Sequence, residues 1–146
     1  PGAMEDEWSG DIGCGVKYFS QDSVIKLAPA AGIDLDEGLS PAEKLKVVQG
    51  LMEQDDPRAA GIYESIGVYL AHTLALYHHL YGYRHVLLLG RVMSGKGGDL
   101  LLDTCRKVLS DEYPTVNEQV HLALPDEKFR RVGQSVAAAS LPELRK

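Results

Sequence analysis

His85-Val86-Leu87-Leu88-Leu89-Gly90-Arg91-Val92-Met93-Ser94-Gly95-Lys96-Gly97-Gly98-Asp99-Leu100-Leu101-Leu102-Asp103-Thr104-Cys105-Arg106-Lys107 is the stretch on which the fold turns. The apolar run Val86–Leu89 reads as a buried strand, Gly90–Gly98 as a glycine-rich turn, and an amphipathic helix begins near Asp99 and carries Leu100–Leu109. A strand, a glycine turn and a helix in that order aim unpaired N–H groups and a positive helix end at one point, which suits a phosphate or another polar ligand. The candidate ligand-facing residues are Gly90, Arg91, Ser94, Gly95, Lys96, Gly97 and Gly98.

Outward from this junction, helix signals dominate. Gln21–Ala31 reads as a helix with Val24, Ile25 and Leu27 on one side. Ser40-Pro41-Ala42-Glu43 is a capping box with proline at the first helical position, opening a helix to about Met52. Asp55-Asp56-Pro57 starts a second, in which Ile62, Ile66, Tyr69, Leu70, Thr73, Leu74, Tyr77 and Leu80 recur at helical spacing until Gly82. A second strand is expected near Gln119–Leu124, a helix from about Asp126 to Ala139, and a short third strand at Val16–Phe19. Strands alternating with helices imply parallel pairing through crossover helices. The fold class expected is therefore helix-rich α/β with a small parallel sheet. Two strands are seldom stable alone, so further strands are expected from a missing part of a larger protein.

The chain has 146 residues, 45% of them hydrophobic and 25% charged, enough for one domain with its own core. We take residues 4–146 as that domain and Pro1-Gly2-Ala3 as a cloning remnant. A net charge of −6 argues against direct nucleic-acid binding, which needs a basic face. No apolar run approaches the ~20 residues that span a bilayer, so no membrane partner is expected. Cys14 and Cys105 are too few for a disulfide framework, which points to a reducing, cytoplasmic location.

From roughly Ser9 to Leu141 the sequence resembles the C-terminal portion of ROK-family proteins, the sugar kinases and sugar-responsive repressors of the actin-like ATPase superfamily. Three blocks carry the resemblance. Glu7-Trp8-Ser9-Gly10-Asp11-Ile12-Gly13-Cys14-Gly15-Val16 stands where the family has its CxCGxxGCxE segment, and Lys17-Tyr18-Phe19-Ser20 follows. Leu87–Ser94 with Gly98-Asp99-Leu100-Leu101 matches the family's strand, GGG-V-S-x-x-G-D turn and leucine-rich helix. Val132-Gly133-Gln134-Ser135-Val136-Ala137-Ala138-Ala139 matches its late glycine and alanine-rich helix. The resemblance implies a partial ribonuclease-H-like lobe, with ATP or ADP and magnesium as the ligands of the Gly90–Gly98 turn. It also implies self-association, or a missing N-terminal lobe, as the partner.

The departures point away from catalysis. Two of the family's three zinc-binding cysteine positions read Glu7 and Ser9, too few ligands for tetrahedral zinc, and no metal site is expected. The family's sugar-contacting glutamate falls on Val16, which accepts no hydrogen bond. Its catalytic aspartate and first phosphate loop lie in a lobe this sequence does not contain, so no catalytic residue is assigned. Arg91 and Val92 replace two of the turn's three glycines. The reading is thus a non-catalytic ROK-like lobe serving assembly or regulation, whose turn keeps at most residual nucleotide binding, weakened or lost. The alternative is half of an ATP-dependent sugar kinase.

A second alternative is a P-loop, because Gly90–Lys96 spells GxxxxGK after an apolar strand. Gly97 stands where that loop needs a Ser or Thr for magnesium, and no apolar strand ending in Asp follows. The histidines His72, His78, His79, His85 and His121 read as polar or part-buried packing residues rather than metal ligands. Tyr63, Tyr69, Tyr77, Tyr81 and Tyr83 read as packing residues that also fit a partner interface. Cys105 reads as a buried thiol, and Asp34–Glu37 as a solvated loop.

Overall fold

The computed structural model describes residues 3–124. The order of elements is α1 (Val16–Phe19), α2 (Gln21–Leu27), α3 (Pro41–Glu53), α4 (Pro57–Tyr81), β1 (His85–Leu87), α5 (Gly95–Glu112), α6 (Pro114–Gln119) and β2 (His121–Ala123), with a 3-10 turn at Arg91–Met93. It is helix-rich α/β with one two-stranded parallel sheet among the described residues. His85, Val86 and Leu87 stand against His121, Leu122 and Ala123, with α5 and α6 forming the crossover. The expected helix over Asp126–Ala139 lies outside the described residues.

α4 organises the rest. Asp56 caps its start, with Oδ1 accepting from Arg58 N at 2.9 Å, and Pro57 occupies the first turn where no N–H is needed. Gly82, in the left-handed region at φ 60°, ends it by donating to the His78 carbonyl at 2.8 Å. Ala59, Ile62, Tyr63, Ile66, Leu70, Ala71 and Leu74 form its buried face. Against that face pack Leu45, Val48 and Met52 of α3, Val24 of α2, and Leu101, Leu102, Cys105 and Leu109 of α5. α3 opens with the expected capping box: the Ser40 hydroxyl accepts from Glu43 N, while the Glu43 carboxylate accepts from Ser40 N at 2.9 Å.

Four expectations need correction. Val16–Phe19 is a turn of helix, α1, and not a strand. Val16, Tyr18 and Phe19 have high β propensity, but among the described residues no strand pairs with them, and N–H bonds from Tyr18 and Phe19 to Gly15 O close a helical turn instead. The first strand begins at His85 and ends at Leu87, shifted from Val86–Leu89. α2 stops at Leu27 rather than Ala31, where Pro29 lacks the N–H to continue it. Most consequentially, α5 begins at Gly95, so Gly95–Gly98 is its first turn and not part of a loop. Pro114–Gln119, not anticipated, forms α6.

Candidate functional site

β1 delivers the chain to Gly90, which bends at φ 121° and ψ 162°, a conformation that only glycine adopts easily. The 3-10 turn then closes through Met93 N to Gly90 O at 3.1 Å and Ser94 N to Arg91 O at 3.2 Å. The two residues that replace glycines go opposite ways. Val92 is buried in the core, with Met93 beside it. Arg91 is exposed, and its carbonyl accepts from the Gln49 side chain of α3 at 3.1 Å. Ser94 holds the N-cap position of α5 without a side-chain bond to its first turn.

The glycines of that first turn face the protein itself. A Cβ on Gly97 would lie 2.4 Å from Cζ of Tyr63, on the buried face of α4. A Cβ on Gly98 would lie 2.3 Å from the carbonyl carbon and oxygen of Met93. Neither distance is tolerated between real atoms, so glycine is required at both positions by packing. Gly95, at φ 67°, has the Glu53 carboxylate against it, 3.2 Å from where a Cβ would stand.

Lys96 is also committed within the chain. Its ammonium donates to Asp55 Oδ1 at 2.8 Å and reaches the Glu53 carbonyl at 3.4 Å. The Asp55 hydrogen bond raises the Lys96 pKa above its ordinary value. Asp55 is the one non-glycine residue with positive φ among those described, at 58°, a conformation aspartate tolerates better than most residues. The turn between α3 and α4 therefore brings two carboxylates, Glu53 and Asp55, to the positive end of α5, where an anion is favoured. The pair with Lys96 is largely exposed and screened by solvent, so it adds little to stability. Its consequence is electrostatic: an incoming phosphate meets fixed negative charge.

Under this turn lies an unsatisfied group. The Tyr63 side chain is fully buried, and its hydroxyl has no hydrogen-bond partner among the described residues. Burial pushes its pKa up to about 12, which keeps it a neutral phenol. An unpaired buried hydroxyl costs about 1–3 kcal/mol. Tyr63→Phe removes that cost while keeping the ring on which Gly97 rests. The variant is expected to gain about 1 kcal/mol, seen as a Tm rise of about 2–4 °C for a domain of this size. A lower Tm would mean that the hydroxyl has a partner.

The residues at the zinc-segment positions make other bonds. Glu7 pairs with the Lys17 ammonium, which also holds Asp22 Oδ2 at 2.9 Å, and Lys17 is 3% exposed. These two carboxylates raise the Lys17 pKa. Ser9 Oγ lies 3.6 Å from Cys14 Sγ, and Asp6 accepts from Ser9 N at 2.9 Å. Nothing in the sequence pattern marked Gln49 or Glu53, because each acts through a partner distant in sequence, Arg91 and Gly95.

Four of the five histidines, one of them part-buried and three exposed, make contacts within the chain. His72 Nδ1 and the Tyr113 hydroxyl are 2.8 Å apart, His78 joins the Tyr83 carbonyl to Gln119, and His85 stacks on His121 with centroids 5.3 Å apart. Among the described residues no group of three or more His, Cys, Asp or Glu is arranged to hold a metal. Burial raises the Cys105 thiol to about 12, which makes it unreactive. An open groove of about 460 Å³ lies away from the junction, between α5, α6 and β2, lined in part by Arg106, Lys107, Asn117 and His121. Its two cations face Asp103 and Asp111 of their own helix at 3.8 and 3.0 Å. No described helix is long and apolar enough to cross a membrane. Compared with family models, curated proteins and solved structures, the chain finds no match.

Proposed function

We propose that this chain is a ROK-like C-terminal lobe, of ribonuclease-H-like descent, that catalyses no reaction by itself and serves assembly or regulation. The observation that carries this reading is the self-filled junction. Gly97 and Gly98 are occupied by Tyr63 and Met93, Lys96 is paired to Asp55, and Glu53 stands at Gly95. A phosphate cradle needs that lysine turned toward a ligand and no carboxylate standing at the helix end. The assembly side of the reading is supported by apolar side chains left in the open, notably Leu87 at 57% and Leu80 at 61% exposure.

The kinase-half alternative draws on Gly90. It sits past the carboxyl end of β1 with nothing within 4 Å of a Cβ position, and ligands of α/β sheets bind beyond that end of the strands. Thermal unfolding separates the two readings. With about 2 mM Mg-ATP or Mg-ADP, the proposed lobe keeps its Tm within about 0.5 °C. Nucleotide at 100 times its Kd adds about 2.7 kcal/mol. A rise of several degrees with either nucleotide therefore overturns the proposal.

A further inference from the structure

His85 and His121 are register partners in the parallel ladder, so their side chains leave the same face of the sheet. The ladder around them is held by His121 N donating to Arg84 O at 2.8 Å and Leu88 N donating to Ala123 O at 2.9 Å. The two imidazoles stack with centroids 5.3 Å apart and planes 28° from parallel, and both residues are exposed. Their ring nitrogens set them apart. His72 uses Nδ1 on the Tyr113 hydroxyl, and His78 uses both nitrogens, on the Tyr83 carbonyl and the Gln119 side chain. Among the described residues, the rings of His85 and His121 make no hydrogen bond or ion pair. Each ring, when neutral, therefore keeps a lone pair for a ligand.

The geometry points to a site for a divalent transition-metal ion of the nickel, copper and zinc group, with His85 and His121 as its two protein ligands and water in the remaining positions. Two nitrogens that share one ion stand about 3 Å apart, since each metal–nitrogen bond is about 2 Å long. Ring centres 5.3 Å apart reach that separation when each imidazole turns about χ2, a soft torsion in histidine. The backbone stays where the ladder holds it, so little has to be ordered on binding.

The ligand type selects the ion. Imidazole suits nickel, copper and zinc, whereas magnesium and calcium take oxygen ligands that this pair does not offer. The surroundings set the strength. Only two protein ligands converge, Arg84 precedes His85, and Arg106 donates to the Leu122 carbonyl at 3.4 Å, so affinity is micromolar and not that of a closed structural site. An ion held there ties β1 to β2. Each strand is three residues long, and a two-stranded sheet is marginal without such a clip. The inference is independent of the lobe reading above, because it concerns the opposite end of β1 from the glycine junction.

Titration of the whole chain with Ni2+ alone, without nucleotide, tests it. Paramagnetic nickel broadens the ring C–H resonances nearest to it. Those of His85 and His121 should broaden before those of the other three histidines, with a Kd of about 10–100 µM. His85→Asn and His121→Asn, both at exposed positions, should each retain the metal-free melting curve and weaken binding by about 10-fold or more. Saturating Ni2+ should raise the wild-type Tm by more than that of either variant. His79→Asn, at an exposed position of α4, should change Kd less than about 3-fold. Absence of saturable broadening below about 1 mM Ni2+ overturns the site. Broadening spread evenly over all five histidines, or a Kd that survives either ladder substitution, overturns it too and identifies an adventitious ion only.

Discussion

Gly98→Ala is expected to destabilise the protein by about 3 kcal/mol, lowering Tm by about 9 °C. Helix propensity alone argues the other way, since alanine gains about 1 kcal/mol over glycine inside a helix. Geometry decides the sign. The new methyl would stand 2.3 Å from both the carbonyl carbon and oxygen of Met93. Those are backbone atoms of the 3-10 turn, fixed by its own hydrogen bonds and by two buried neighbours, Val92 and Met93. They do not swing aside as a side-chain end would. The turn or the first turn of α5 has to move, and both are anchored in the core. Thermal or denaturant unfolding of the single variant measures the effect, and a neutral or stabilised variant would contradict the packing described here.

The second large effect distinguishes two glycines of one helix. Gly67→Ala should cost about 2–3 kcal/mol, whereas Gly61→Ala should stabilise by about 0.5–1 kcal/mol. Gly67 lies where α4 crosses α5. A Cβ there would be 2.6 Å from the Leu101 carbonyl oxygen and 2.8 Å from Thr104 Cβ, so the helices would have to separate. At Gly61 nothing lies within 4 Å, and only the entropy of the unfolded chain and the propensity gain remain. The difference between the two variants, measured under one condition, cancels the shared propensity term and reports the α4–α5 contact. If both substitutions shift stability in the same direction, the close approach of α4 and α5 at Gly67 is wrong.

Much of the frame was legible in the sequence because local chemistry specified it. The Ser40–Glu43 capping box, the Asp56-Pro57 start and the Gly82 stop are short-range devices, and α3 and α4 lie where they put them. The parallel pairing followed from two strands separated by a helix long enough to cross over. Val16–Phe19 failed because β-branched and aromatic residues mark strands only where a partner strand exists. Gly95–Gly98 failed for a related reason. Three glycines in four residues read as a loop by propensity, yet here they begin a helix that Tyr63 and Met93 approach too closely for any side chain.

The candidate site divided along the same line. The strand, the Gly90 bend and the following helix were visible from the pattern. What fills the turn was not, since Asp55 is 41 residues away in sequence and presents its carboxylate from a left-handed turn after α3. Tyr63, read as one of several packing tyrosines, turns out to carry a buried hydroxyl with no described partner. Only the tertiary structure brings Glu53, Asp55 and Tyr63 to the start of α5.

The central claim is that the glycine junction is packed by its own chain and holds no nucleotide. Its most direct measurement follows the backbone amide resonances of Gly90, Gly95, Gly97 and Gly98 as Mg-ATP, then Mg-ADP, is titrated to about 5 mM. The four resonances should stay in place throughout. Saturable movement of these glycines with either nucleotide would contradict the claim and return the junction to the role of a phosphate cradle.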